Sequence, residues 1–234
     1  MTNRESEFLP PPMLALTLNP LYVVAHGTTR TVERIRHDIR VKGSDNFPLK
    51  GPVLLGPSHR EASDPETAGI SVKRQIRFMQ KEELETAEYL YLGLFLRLLG
   101  TFPVNRQNPQ PSSLKKAISH LQKGRAVGIF PEGSRYANGK GKKVRGAEIG
   151  ELFESIGGLA VNHDAALVAM GIGTAVRRQG GRIKDKVRRV VVAKPIYRQP
   201  GLSKKRAREV IMLQFRETLQ EVFDEASEAA TSEV

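Results

Sequence analysis

The sequence predicts an α/β protein, a layered mixed sheet flanked by helices. Two observations carry this. Short apolar runs of strand length recur at residues 53–56, 127–130, 166–172 and 187–193, and stretches with helical signals separate them; strands that alternate with helices build layered sheets. Composition agrees: 234 residues with 39% hydrophobic and 26% charged side chains suit one folded domain with a short appendage. Residues 1–30 are expected to form an N-terminal tail and helical segment, and 31–234 the domain.

The elements follow in order. After the Pro10-Pro11-Pro12 tail, residues 13–28 read as one helix or two short ones broken at Pro20. Residues 35–41 alternate, with Ile35, His37, Ile39 and Val41 on one face, the period of a half-buried strand. A turn over 43–51 leads to the fully apolar strand 53–56. A short helix over 65–70, a brief strand over 77–79 and a strong helix over 84–99 come next. Residues 101–104 read as strand, and Ser112 or Ser113 caps a helix that ends near Gly124. The strand at 127–130 runs into a loop over 131–146 rich in Gly, Lys and Arg. Residues 148–161 are helical with an interruption at Gly157-Gly158, 166–172 and 187–193 are strands, and 203–226 is a closing helix with an acidic end.

The chain has no cysteine, which excludes disulfides, thiolate metal sites and cysteine nucleophiles. Its net charge of +12 calls for a partner that carries negative charge: nucleic acid, an anionic membrane surface or a phosphorylated substrate. The charge gathers at Lys140 to Arg145, at Arg177 to Arg189 and at Lys204 to Arg208. No secretory signal is expected at the N-terminus. Nor is a spanning helix, because residues 13–25 fall short of the ~20 that a span needs and charges interrupt 84–104. Both segments suit a membrane interface or an ordinary core equally well.

The stretch His59-Arg60-Glu61-Ala62-Ser63-Asp64 is the richest in chemistry. Asp64 followed by Pro65 is a helix-start signature, in which the aspartate caps and the proline takes the first helical position. The chain should therefore leave a buried strand, turn through His59 and enter a helix at Asp64, bringing carboxylate to imidazole. A carboxylate on one ring nitrogen fixes the tautomer and leaves the other nitrogen free to take a proton, which equips a general base for a hydroxyl. A His and an Asp at one spacing arise often by chance among five histidines, so the pair gains weight only from further pieces downstream.

Phe130-Pro131-Glu132-Gly133-Ser134-Arg135 is the second piece. Pro131 lacks a backbone donor and should stop the strand, and Gly133 permits a backbone conformation that side chains disfavour. The turn would present Glu132, Ser134 and Arg135 at a strand end. Arg135 can clamp a phosphate with two parallel hydrogen bonds, and Glu132 can accept from a substrate hydroxyl or hold a neighbouring arginine. In isolation the hexapeptide reads as a polar turn with a surface salt bridge. Gly100-Thr101-Phe102-Pro103-Val104-Asn105-Arg106 is the third piece, a strand that leads to an arginine; ligand sites in open α/β sheets gather at such carboxyl ends. Lys81, also just past a short strand, reads on local grounds as an exposed lysine opening a helix.

The pattern His-x4-Asp, then Gly-x5-Arg, then Phe-Pro-Glu-Gly-Ser-Arg resembles the glycerolphosphate acyltransferase superfamily, and within it the bacterial 1-acylglycerol-3-phosphate acyltransferases, from about residue 34 to 195. The resemblance implies transfer of a fatty acyl group from acyl-CoA or acyl carrier protein, as co-substrate, to a hydroxyl of 1-acylglycerol-3-phosphate, giving phosphatidic acid, with no metal and no further cofactor. It implies that His59 is the base and Asp64 its orienting partner. It assigns Arg106, Glu132 and Arg135 to the phosphorylated acceptor, Lys81 to the neighbourhood of its phosphate, and Gly133 and Ser134 to the same binding turn. A lipid acceptor implies cytoplasmic protein attached peripherally to the anionic inner face of the cell membrane. The family's fourth motif carries two prolines in an apolar strand, where this chain has Ala165-Ala166-Leu167-Val168-Ala169-Met170; the acceptor pocket is expected to differ there. Ser134 stands in place of the commoner threonine.

Two other readings compete. The same motifs serve acyltransferases that act on glycerol 3-phosphate, other lysophospholipids or glycolipids. A basic nucleic-acid-binding protein fits the charge alone: no zinc spacing, helix-turn-helix cue or interleaved aromatic and basic stretch supports it, so no nucleic-acid partner is expected.

Overall fold

A computed structural model describes residues 20–81, 100–104, 111–133, 149–179 and 182–234. Its elements are α1 (Pro20–Arg36), β1 (His37–Lys42), β2 (Val53–Pro57), α2 (Asp64–Ile70), β3 (Ile76–Lys81), β4 (Phe102–Val104), α3 (Pro111–Gln122), β5 (Ala126–Gly128), α4 (Ser155–Asn162), β6 (Ala166–Gln179), β7 (Arg182–Val192) and α5 (Lys204–Thr231). The helix expected over 84–99 and the loop over 134–146 lie outside the described residues.

Among the described residues seven strands form one sheet, in the order β1-β7-β6-β2-β5-β3-β4. All neighbours run parallel except β6 and β7, which are antiparallel. The sheet is therefore mixed, as expected. Strand β2 lies inside it, paired on one side with β6 and on the other with β5. Its residues are buried on both faces, which is why it reads as an unbroken apolar run. Leu54 packs with Val127, Leu167 and residues of α3, α4 and α5, while Leu55 packs with Phe130, Val168, Met170 and residues of α2. Alternate residues thus feed opposite layers. Helix α1 packs on α2 and β1.

Helix α5 lies against β6 so closely that a Cβ at Gly171 or Gly173 would collide with backbone carbonyls of Val222 and Ala226. Only glycine permits that approach, and it lets α5 bury Ile211, Phe215, Leu219 and Phe223 against the sheet.

Three boundaries differ from the sequence expectation. Residues 13–19 of the expected N-terminal helix lie outside the described residues, and the chain is helical from Pro20 onward. The helix then runs unbroken through residues 30 and 31 and includes Ile35, 80% exposed, so the strand starts at His37. The period of α1 is helical: Tyr22, Ala25, His26, Arg30 and Glu33 are buried. Gly157 and Gly158 lie within α4 and do not interrupt it, while residues 149–154 are not helical. Finally, β6 and β7 extend well beyond 166–172 and 187–193, since their outer halves carry polar side chains that an apolar run does not reveal.

Candidate active site

The site grows from the carboxyl end of β2. Ser58 continues the pairing with β6: its N–H donates to the Met170 carbonyl (2.9 Å), and its Oγ accepts from the Ile172 N–H (3.0 Å). His59 is the next residue, 7% exposed. Its ring packs on Phe130, centroid to centroid 4.1 Å, and Phe130 stacks in turn on Phe78 at 5.7 Å. The imidazole is thus fixed on an aromatic floor built from β3 and the end of β5.

Asp64 closes the turn. Its Oδ2 accepts from His59 Nδ1 (3.2 Å) and from the backbone N–H groups of Arg60 (2.6 Å) and Glu61 (2.7 Å). The expected cap is corrected here. Ser63 is the N-cap residue of α2, without a side-chain capping bond, and Pro65 takes the first turn. The Asp64 carboxylate faces backwards, because the turn offers it two N–H donors and an imidazole. A carboxylate only accepts, so the proton of the ring sits on Nδ1. Nε2 keeps its lone pair and makes no hydrogen bond to the described residues. The arrangement is that of a base oriented by a carboxylate.

Glu132 sits in the turn after β5, buried. Its Oε1 accepts from the His59 N–H (3.0 Å), and its Oε2 accepts from Arg60 Nη1 (2.8 Å) and the Gly150 N–H (3.0 Å). Of the two uses open to Glu132 from sequence, the structure displays the second, the holding of a neighbouring arginine. Arg60 also lies over the Phe223 ring at 4.6 Å, which ties the turn to α5. Gly133 has φ +69°, the left-handed conformation anticipated from sequence, and a Cβ there would strike the Phe153 ring. Phe153 is 61% exposed and donates its N–H to the Pro131 carbonyl (2.9 Å).

The structure therefore brings together His59, Asp64, Glu132 and Gly133. Lys81 is the last residue of β3, in register with Val104 at the carboxyl end of β4. Arg106, Ser134 and Arg135 lie outside the described residues. Sequence reasoning missed Arg60, which is the guanidinium that Glu132 holds, and Arg188, which reaches the same turn from β7. Alternation gives the signal for the latter: Arg188 shares the inward parity of Val190 and Val192. It is 1% exposed, and Arg189 is 5% exposed, so the basic stretch from Arg177 to Arg189 places two of its arginines inside. Glu66, two residues past Asp64, has its carboxyl pushed up by burial first and by Glu33 second. Among the described residues no three His, Asp or Glu side chains are grouped to hold a metal.

The described residues thus hold a buried imidazole–carboxylate pair beyond a parallel strand, braced by a glutamate from the turn after β5. The chain belongs to the acyltransferase family: that family's model matches residues 38–196. Named relatives are similar to parts of the chain. It is 33% identical over 116 residues to the 1-acyl-sn-glycerol-3-phosphate acyltransferase of Bacillus subtilis, a match over 49% of this chain and 57% of the relative. It is 39% identical over 88 residues to the enzyme of the same name from Streptococcus pneumoniae, over 37% of this chain and 32% of the relative. The matches thus span under two thirds of the length of these relatives. The fold matches the crystal structure of the 1-acyl-sn-glycerophosphate (LPA) acyltransferase, PlsC, from Thermotoga maritima, with a TM-score of 0.62, 17% identity, and coverage of 86% of this chain and 79% of that one.

Proposed function

We propose that this chain transfers a fatty acyl group from acyl-CoA or acyl carrier protein to the free hydroxyl of 1-acylglycerol-3-phosphate, giving phosphatidic acid. The observation that carries the proposal is the His59–Asp64 pair, buried at the end of β2 with Nε2 unengaged by any described residue. Nε2 takes the hydroxyl proton as the oxygen attacks the thioester carbonyl carbon. The tetrahedral adduct collapses, the C–S bond breaks, and the thiolate leaves with the proton returned by the imidazolium. General-base catalysis of this kind contributes ~10² to 10⁴ in rate. Asp64 holds the tautomer and stabilises the transient positive charge. No acyl-enzyme and no metal is required.

Lys81, Arg106, Ser134 and Arg135 are proposed to receive the acceptor, with the arginines clamping its phosphate. Glu132 and Gly133 shape the turn that leads to them. The donor and acceptor are amphiphiles, so peripheral attachment to an anionic cytoplasmic leaflet is part of the proposal; among the described residues no helix is long and apolar enough to cross a membrane. Alanines replace the family's prolines in β6, which makes glycerol 3-phosphate, other lysophospholipids and glycolipids the alternative acceptors to compare.

Thioester consumption by the purified protein tests the reading, with lysophosphatidate, glycerol 3-phosphate and uncharged lysolipids as acceptors. Fastest turnover with lysophosphatidate is expected. Preference for another acceptor replaces the substrate while keeping the chemistry. No consumption above the enzyme-free rate with any acceptor removes the proposal.

A further inference from the structure

Among the described residues Arg188 is the largest side chain wholly enclosed by the fold, and none of its hydrogen bonds goes to the imidazole. It stands on β7 in register with Ile39 of β1 and Thr174 of β6, two strands away from β2 in the sheet. Its guanidinium nevertheless reaches the catalytic turn. Nη2 donates to Ser63 Oγ (2.5 Å) and to Glu61 Oε2 (3.4 Å), and Nη1 donates to Thr67 Oγ1 on α2 (2.7 Å) and Glu33 Oε2 on α1 (3.0 Å). Lys186, two residues earlier on the strand, holds both Glu61 oxygens at 2.9 and 2.8 Å.

Two of the four acceptors sit between His59 and Asp64. Glu61 supplies one of the N–H groups that Asp64 Oδ2 receives, and Ser63 is the residue directly before Asp64. The turn is therefore gripped from two sides. Glu132 holds its first half through the His59 N–H and Arg60, and Arg188 holds its second half through Glu61 and Ser63. A buried arginine is a costly way to fill space, since apolar residues of similar volume do that at least as well. The planar fork, with four N–H bonds aimed at four oxygens, instead fixes positions.

We infer that Arg188 is a positioning residue for acyl transfer, setting the distance and angle between Asp64 and His59 from across the sheet. The inference rests on the acyl-transfer reading above. It predicts that loss of Arg188 loosens the turn, so that the carboxylate no longer holds the imidazole in the attacking geometry. Misplacement by ~1 Å can cost ~10² in rate.

Arg189 supplies the control. It is the adjacent residue, also buried, and it is also ion-paired, with Asp38 (3.0 Å) and with Glu233, but none of its bonds reaches the turn. Arg188→Met and Arg189→Met are to be compared by melting, by steady-state kinetics with lysophosphatidate and acyl-CoA, and by amide hydrogen exchange at Arg60 and Glu61. The expected result for Arg188→Met is a kcat lower by about 10²-fold with KM for the thioester within about twofold, and on the order of tenfold weaker protection of those two amides. Arg188→Lys is expected to recover part of both, and Arg189→Met to lower the melting temperature while leaving kcat and the two amides unchanged. Where Arg188→Met does not fold, Glu61→Ala with Ser63→Ala removes the same acceptors from the turn side and leaves no buried charge on β7 without its Glu33 partner. Unchanged amide protection in a folded variant overturns the inference, as does equal loss of kcat in Arg189→Met. The exchange measurement decides even if the wild-type protein transfers no acyl group, an outcome that would remove the acyl-transfer reading alone.

Discussion

The two ends of the parallel strands gather opposite charges. Beyond the carboxyl ends of β2 and β5, two carboxylates collect N–H donors: Asp64 takes those of Arg60, Glu61 and the imidazole, and Glu132 takes those of His59, Gly150 and the Arg60 side chain. Before the amino ends, a cation does the gathering. Arg74 donates to the carbonyls of Pro48 (3.0 Å), Gly51 (2.7 Å) and Gly124, so one guanidinium ties the loops that precede β2, β3 and β5. Arg77, Arg125 and His120 crowd nearby, with Arg125 Nη1 3.3 Å from His120 Nδ1. Burial first, then Arg125, brings Arg77 down to about 10; burial first, then Arg77 and Arg125, pushes His120 down to about 4. The carboxyl end places polar groups around the His59 ring, whereas the amino end closes loops. Substitutions at the first end should damage chemistry and stability together, and those at the second should damage stability alone.

The largest effect on stability is expected at Glu132. Glu132→Ala removes the acceptor that holds His59 and Arg60, and breaking a buried ion pair on one side costs about 3–5 kcal/mol. Denaturant unfolding should register that loss, and acyl transfer should fall by ~10² because the turn shifts. A Glu132→Ala protein with full activity would erase the contrast between the ends. Arg74→Met is the matched change at the amino end. It strands carbonyls that are otherwise satisfied, at about 1–3 kcal/mol, and turnover per folded molecule should stay within about twofold of wild type.

A smaller effect sharpens the description of the carboxyl end. Gly133→Ala should cost roughly 1–2 kcal/mol for a left-handed residue with a Cβ, plus the displacement of Phe153. Adding Phe153→Ala should relieve the second part only, and a double-mutant cycle reads the coupling between them. The smallest effect is a pH dependence at the amino end. Because the folded protein holds His120 neutral down to about 4 from its usual 6.5, the unfolded chain binds more protons inside that window. The stability is present above about pH 6.5 and drains as pH falls toward 4. His120→Gln should flatten that drop by roughly 2 °C in melting temperature, a small figure because the ring is partly solvated. Parallel melting curves for the two proteins would show that the crowding at this end is not sensed by the histidine.

Much of the fold and the core of the site were legible in the residues. Strand β2 is buried on both faces, so its apolar run stood out, and His59 with Asp64 follows it directly. Gly133 announced its left-handed turn because few other residues fit there. What escaped was set by partners distant in sequence. Asp64 looks like a helix cap until the N–H groups of Arg60 and Glu61 are seen to face it. Arg188 looks like one cation among many until the strand's parity turns it inward toward Glu33, Glu61, Ser63 and Thr67. The outer halves of β6 and β7 are polar, so their length is decided by mutual backbone pairing, which composition does not record.

The central claim is that the imidazole at the end of β2 takes a proton during acyl transfer. Steady-state turnover of lysophosphatidate and acyl-CoA by purified His59→Gln, measured beside its melting curve, tests this most directly. The predicted result is a fall of ~10² to 10⁴ in kcat with the fold intact. A folded His59→Gln protein that turns over at the wild-type rate would contradict it.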